Sequence, residues 1–410
     1  MLMQFQSMKS GLLFFIFAIF YLSAWPQELQ ETPSQESMES DTMVTDTTKL
    51  VKSVHPQDLE EAKLQIRWRG YVKFNAYYDY SGLKSTEGFL TYEIPVDPNL
   101  NKNYTGLYAG ARQSRLGMET SINSKIGLFK TYIEGDFAGS SYPLAFRLRH
   151  AYGQIGYWTF GHTWSTFADL AAIPRTVDLE GPNSGVFVRH GLIRYERRDG
   201  EGLEWGVSLE NPRKDFENPY DSLGIDLQQS FDFAGRLRFV PADVGHIQFA
   251  IVFREIFYSH PTGPQYLPGF GFQLSGSINT SEKTRLRFQG VYGSAISRYI
   301  TTLEGRGLDA YPRPDGIMDP LRSSGSYLSF EYFWRANWSF SAIAGMVYLW
   351  YPKDQPEDSF RSSYYGSVNA FWEPIEILRV GTEFTVGKRT NYDQNSGTAT
   401  RLQFAAIFYF

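Results

Sequence analysis

From Ile66 onward the chain alternates between apolar and polar positions. In the stretch 66–79, Ile66, Trp68, Val72, Phe74, Ala76 and Tyr78 fall on one face, and Arg67, Arg69, Lys73, Asn75, Tyr77 and Asp79 on the other. A period of two places successive side chains on opposite faces of a strand. One such segment fits a sandwich as well as a barrel, so the series has to decide. Sixteen segments share the pattern, with approximate limits 66–80, 112–122, 128–137, 144–154, 157–163, 186–197, 202–210, 230–240, 246–257, 269–279, 284–294, 325–335, 338–350, 362–372, 376–388 and 400–410.

The connections sort by length. Short ones lie at 123–127, 155–156, 198–201, 241–245, 280–283, 336–337 and 373–375, and long ones at 81–111, 164–185, 211–229, 295–324 and 351–361. Short turns on one rim and long loops on the other are the mark of an outer-membrane barrel. In hydrocarbon every backbone group must be bonded, so such a sheet has to close. The last segment, Arg401 to Phe410, ends the sixteenth strand on an aromatic, which resembles the C-terminal signature of bacterial outer-membrane barrels. The expected fold is all-β: a 16-stranded antiparallel transmembrane β-barrel with short periplasmic turns, long extracellular loops and both termini periplasmic. A barrel of this size leaves an aqueous lumen rather than a packed interior.

Composition narrows the classes. Among 410 residues there are 27 Tyr, 32 Phe and 9 Trp but no Cys. The missing thiols exclude a disulfide scaffold, Cys-based metal sites and a thiol nucleophile. Outside the first two dozen residues no uncharged apolar run reaches the roughly 18 residues a membrane helix needs. Lys9, the apolar stretch Leu12 to Leu22 and the small residues Ser23 and Ala24 read as a signal peptide over 1–24. Residues 25–65 are rich in Gln, Glu, Ser and Thr, the composition of a disordered periplasmic segment. The barrel is expected over 66–410.

Parity then assigns the lumen. Leu144, Phe146 and Leu148 belong on the lipid face, which turns Arg147 and Arg149 inward. Leu286 and Phe288 likewise send Arg285, Arg287 and Gln289 in, and Leu116 and Met118 send in Arg115 and Glu119. The same argument offers Arg69 and Lys73, Arg236 and Arg238, and Arg379 and Glu383. A lipid-facing arginine near the midplane costs about 2–4 kcal/mol, so inward placement wins. Residues 66–410 hold 35 basic and 35 acidic side chains, yet the strands are Arg-rich while acids such as Glu87, Glu93, Asp97, Asp309, Asp315 and Asp319 crowd the loops. A low-dielectric wall bearing guanidinium groups focuses positive potential and favours anions. The alternative is that these arginines pair with the inward acids Glu119, Glu134 and Glu383 and only solvate the wall.

The connection from Trp164 to Pro182 is unusually apolar for an exposed loop. Folded into the lumen it would narrow the pore and bring Trp164, Asp169, Arg175, Asp178 and Glu180 to the solute path. Packed at the rim or at a subunit contact, it would do neither.

The runs Phe160-Gly161-His162-Thr163-Trp164-Ser165-Thr166-Phe167-Ala168-Asp169, Asp178-Leu179-Glu180-Gly181-Pro182, Val188-Arg189-His190 and Ile193-Arg194-Tyr195 resemble the DcaP family of outer-membrane porins. So do Arg112-Gln113-Ser114-Arg115-Leu116-Gly117 and Leu148-Arg149-His150-Ala151-Tyr152-Gly153. The resemblance covers about residues 66–200. It implies a homotrimeric, sixteen-stranded diffusion channel with an inward third loop and a preference for small anionic solutes. Position by position it marks Arg115, Arg149 and Arg189 as basic pore residues and Trp164 to Glu180 as the constriction. His162 stands where the family usually has Gln, and parity places Arg189 and Arg194 on opposite faces.

Enzyme readings find little support. The six His show no metal-binding spacing, and no Gly-rich phosphate loop or nucleic-acid motif is present. Outward aromatics such as Trp68, Tyr78, Trp158, Trp334 and Trp372 suit the interfacial girdles of a barrel. The expectation is therefore an outer-membrane porin, without cofactor, that contacts lipid, passes small hydrophilic and chiefly anionic solutes, and binds no nucleic acid. A substrate-specific channel for phosphate-like or saccharide ligands is the second reading, and a barrel enzyme or adhesin the third.

Overall fold

The computed structural model describes residues 64–410, apart from 84–87, 98–104, 125–126, 140–144, 199–201, 221–226, 242 and 353–354. The expected signal peptide and almost all of the polar segment 25–65 lie outside these residues; Gln65 already opens the first strand.

The strands are β1 (Gln65–Ser81), β2 (Gly106–Gly110), β3 (Arg115–Ser124), β4 (Gly127–Asp136), β5 (Arg147–Ile155), β6 (Trp158–Trp164), β7 (Arg189–Arg197), β8 (Gly202–Glu210), β9 (Asp232–Val240) and β10 (Gly245–Tyr258). They continue with β11 (Gln265–Ser281), β12 (Thr284–Ser294), β13 (Ala310–Pro312), β14 (Met318–Pro320), β15 (Arg322–Arg335), β16 (Trp338–Trp350), β17 (Phe360–Ile375), β18 (Leu378–Asn391) and β19 (Ser396–Tyr409). Neighbours in sequence pair antiparallel around the ring. The ring closes where β1 pairs with β19, from Tyr71↔Tyr409 to Ser81↔Thr400. On its other edge β1 pairs with β3 from Gln65↔Ser121 to Tyr71↔Arg115, and higher up with β2 from Asn75↔Gly110 to Asp79↔Gly106. Thus β2 and β3 are two halves of one interrupted strand, β13 and β14 form a separate hairpin, and the barrel has sixteen strands.

The burial pattern is that of a sheet turned inside out. Along β10, Ile247, Phe249 and Phe253 are each more than 40% exposed, while Gln248 and Arg254 on the other face are buried. Large apolar side chains outside and arginines inside would be untenable in water and are what lipid demands. Trp68, Tyr78, Trp334 and Trp372 are exposed, as the girdle reading requires, and Trp158 is half-buried.

Two departures from strict alternation matter. Between Glu134 and Gly135 of β4 the partner shifts from His150 to Leu148, leaving Arg149 as an extra residue in β5. This bulge lets both Arg149 and His150 be buried inside, where parity alone would send His150 to lipid. In the segment expected to begin at 186, the strand starts only at Arg189, because Val186 and Val188 belong to the preceding loop and are fully buried.

The interior is only partly open, which corrects the expectation of a purely aqueous lumen. Loop residues Phe167, Val186, Val188, Ile296, Tyr299, Ile300, Leu303 and Leu308 form one apolar cluster with the inward side chains Ala234, Ala250, Val252, Val291, Val347 and Leu349. Sixteen strands enclose more volume than wall side chains can fill, so long loops enter and bring their own core. In a second cluster Leu83, Phe89 and Ile94, which follow β1, pack against Ile343, Tyr365 and Ala399 of the wall.

Candidate pore site

The loop between β6 and β7 runs along the inner wall and is tied at each step. Ser165 Oγ and Thr166 N donate to Glu210 at its root. Asp169, wholly buried, then accepts from Arg238 on β9 at 2.8 Å and from Ser275 on β11 at 2.7 Å, with His246 Nε2 of β10 at 2.8 Å. Burial opposes its charge, but Arg238 and His246 outweigh burial and hold the carboxyl well below its usual range.

A short 3-10 turn, Leu170–Ala172, follows. Arg287 Nη1 donates to the carbonyls of Ala171 and Ile173, and Tyr327 Oη to that of Ala172. Arg175 N donates to Glu331, and Asn369 returns a bond to Arg175 O. Val177 N donates to Glu383 at 2.6 Å, and Lys73 Nζ to Val177 O at 2.8 Å. The strand arginines and acids thus satisfy a loop backbone that would otherwise be buried without partners.

Beside this loop lies a cavity of about 600 Å³. Lys73, Arg115, Arg147, Arg149, Arg189, Arg285, Arg287 and Arg379 line it from the wall and Arg175 from the loop, against three carboxylates, Asp178, Glu180 and Glu304. Acids behind this layer pair with several of the cations: Glu134 with Arg115 at 3.5 Å, Asp136 with Arg147 at 2.8 Å and Arg149 at 2.7 Å, Glu331 with Arg287 at 3.2 Å, and Glu373 with Arg379 at 2.5 Å and Arg175 at 3.5 Å. The pairing alternative therefore holds for these arginines, yet the groups that face the cavity remain predominantly cationic. Arg285 donates to Asn279 and lies over the Phe333 ring. Arg189 stacks on Trp164, its guanidinium carbon 3.2 Å from the ring centroid, with Nε 3.3 Å from His150 Nε2.

The loop carboxylates are perturbed. Burial and the neighbouring Asp178 push Glu180 up to about 7, against the pull of Arg147 and Arg149. Burial also raises Asp178 and Glu304. Asp178 nevertheless accepts from Phe89 N and Glu180 N and lies near Arg401.

Not every expected residue reaches the cavity. Arg69 and Glu119 pair with each other at 3.1 Å and are not among its lining residues. Asp169 is an anchor rather than a solute contact, because three wall side chains consume its oxygens. Arg194 turns inward and donates to Trp164 O without lining this cavity, whereas Arg189, on the opposite parity, does line it, because it lies where β7 meets the loop. His150 and His190 are each satisfied locally, His190 by Arg298 at 2.8 Å. Among the described residues no cluster of His, Asp and Glu is arranged to hold a metal.

Sequence reasoning missed Glu304 and the buried network in which Arg254 bonds Asp232 and Asp309 and Arg401 bonds Asp79 with two nitrogens. Arg401 alternates with Leu402 and was available to the parity argument; Glu304 lies on a loop, where no period operates.

The model of the DcaP outer membrane protein family matches residues 39–218. No curated protein matches the sequence. The structure is similar to that of the outer-membrane channel DcaP of Acinetobacter baumannii, at 19% identity and a TM-score of 0.74, over 85% of this chain and 97% of that one. It is also similar to the anion-selective porin from Comamonas acidovorans (11% identity, TM-score 0.53, 85% and 100% covered) and to OmpF of Salmonella typhi (10%, 0.52, 85% and 98%). Residues 39–218 thus match the DcaP outer membrane protein family, and the fold of the chain is that of an outer-membrane porin barrel.

Proposed function

We propose that this barrel passes small hydrophilic anions through the cationic cavity, with the loop after β6 as its constriction. The observation that carries this reading is the lining itself: nine Lys and Arg face the cavity against three carboxylates. One of the three, Glu180, has a proton affinity near neutrality, which lowers the opposing charge further. In a low-dielectric enclosure such an excess concentrates anions and repels cations. The many hydrogen bonds along residues 165–186 favour a fixed constriction rather than a flapping one. The name of the Comamonas acidovorans relative, an anion-selective porin, fits the same chemistry.

Assembly as a homotrimer belongs to this proposal, on the resemblance to the DcaP family and to porins such as the trimer form of OmpT of Vibrio cholerae. The test is single-channel recording of the purified protein in a planar bilayer, with reversal potential under a salt gradient. Anion selectivity with conductance steps in threes is expected. Stable insertion without conductance, or cation selectivity, would sink the proposal.

A further inference from the structure

Beside the root of the loop lies a second and much smaller cavity of about 30 Å³, which shares Trp164 and Leu170 with the large one. Four guanidinium groups line it, those of Arg194, Arg198, Arg236 and Arg238, together with the start of the loop at Trp164 and Ser165. No carboxylate is among the described residues that line it. Arg194, Arg236 and Arg238 are all buried.

The acids that pair with these arginines stand outside the cavity. Glu196 is shared by Arg194 at 3.6 Å, Arg198 at 2.6 Å and Arg236. Arg238 turns to Asp169 at 2.8 Å and Glu204 at 3.8 Å. Among the described residues the carboxylates therefore draw on the guanidinium groups from outside the cavity, and the side chains that line it bring cationic charge only.

Buried cations converging on a small void are expensive unless the void holds a compensating charge. A space this size admits a particle of about water's dimensions. We propose that it binds a monovalent inorganic anion of halide size, chloride in saline media. The ion completes the charge balance of β7 and β9 and fastens the loop root to the wall. It is held apart from the transported solutes, and the site stands whether or not the large cavity proves anion-selective.

Crystals of the full-length protein grown or soaked in bromide test this, beside melting curves in chloride and in gluconate at equal ionic strength. An anomalous peak between Arg194, Arg236 and Arg238 is expected, with a higher melting temperature in chloride. Arg236→Gln should abolish both the peak and the chloride-dependent shift. Glu196→Gln, which removes a competing negative charge, should strengthen halide binding and enlarge the shift. Absence of the peak, or a peak with no halide dependence of melting (an adventitious ion only), would overturn the proposal. If Arg236→Gln fails to fold, the wild-type diffraction and melting data still decide.

Discussion

Asp169 offers the sharpest test of how the loop is held. Its two carboxylate oxygens take Arg238, His246 and Ser275, three neighbours on three successive strands, and no part of it is exposed. Asp169→Asn keeps the shape but removes the charge, leaving Arg238 buried against Gln248 and, at 3.8 Å, Glu204. Removing one partner of a buried ion pair costs about 3–5 kcal/mol. If half of that falls on the local equilibrium between docked and released loop root, release becomes on the order of ten- to sixty-fold more frequent, at about 1.4 kcal/mol per decade. The ties on either side, from Glu210 to Ser165 and Thr166 and from Arg287 and Tyr327 to Ala171 and Ala172, are untouched, so loosening should be confined to residues 167–170. In single-channel records this should appear as excess open-channel noise and frequent excursions to higher conductance. In membranes it should appear as faster protease cleavage within that segment. The double variant Asp169→Asn/Arg238→Gln should recover much of the quiet behaviour, because removing both partners leaves less uncompensated charge than removing one. Noise, conductance and cleavage all equal to wild type in Asp169→Asn would refute the assignment of this residue as the loop's anchor.

Further expectations follow from the same geometry. Arg285→Glu places a negative charge on the cavity without removing a loop tie, and should shift the reversal potential toward cation selectivity with little change in melting. Glu180, pushed up to about 7, is protonated below that pH and charged above it, so anion selectivity should fall as pH rises from 6 to 8. Glu180→Gln should hold selectivity at its acid-side value throughout, and a pH profile unchanged by that variant would contradict the role. Because the folded carboxyl binds its proton more tightly than an unfolded one, its contribution to stability is present at low pH and lost as pH rises through about 7. Arg401 bonds Asp79 at 2.7 and 2.9 Å across the β1–β19 seam and lies 3.8 Å from the centroid of Tyr77. Arg401→Ala should cost about 3–5 kcal/mol and lower the temperature at which the barrel unfolds in detergent; an unaltered transition would argue against a structural role for the seam pair.

The sequence by itself determined the barrel. Alternation is a local property, set by the two-residue period of extended backbone and by the cost of placing arginine in lipid. All sixteen strands were therefore legible, along with the inward direction of Arg115, Arg149 and Arg287. The apolar character of residues 164–182 marked the inward loop, since an exposed loop gains nothing from Phe167 or Val177. Tertiary structure alone decided which inward groups meet the cavity. Arg238 and Arg285 have the same signature along their strands, yet one is sealed behind the loop root and the other faces open space, because the loop covers only part of the wall. It also decided that part of the lumen is packed. The loop 295–309 supplies Ile296, Ile300 and Leu303 to the interior core and Glu304 to the cavity, and no period along that loop tells which side chain meets which until distant strands surround it. The bulge at Arg149 is of the same kind: one extra residue against β4 brings His150 inside, and its register exists only once the two strands pair.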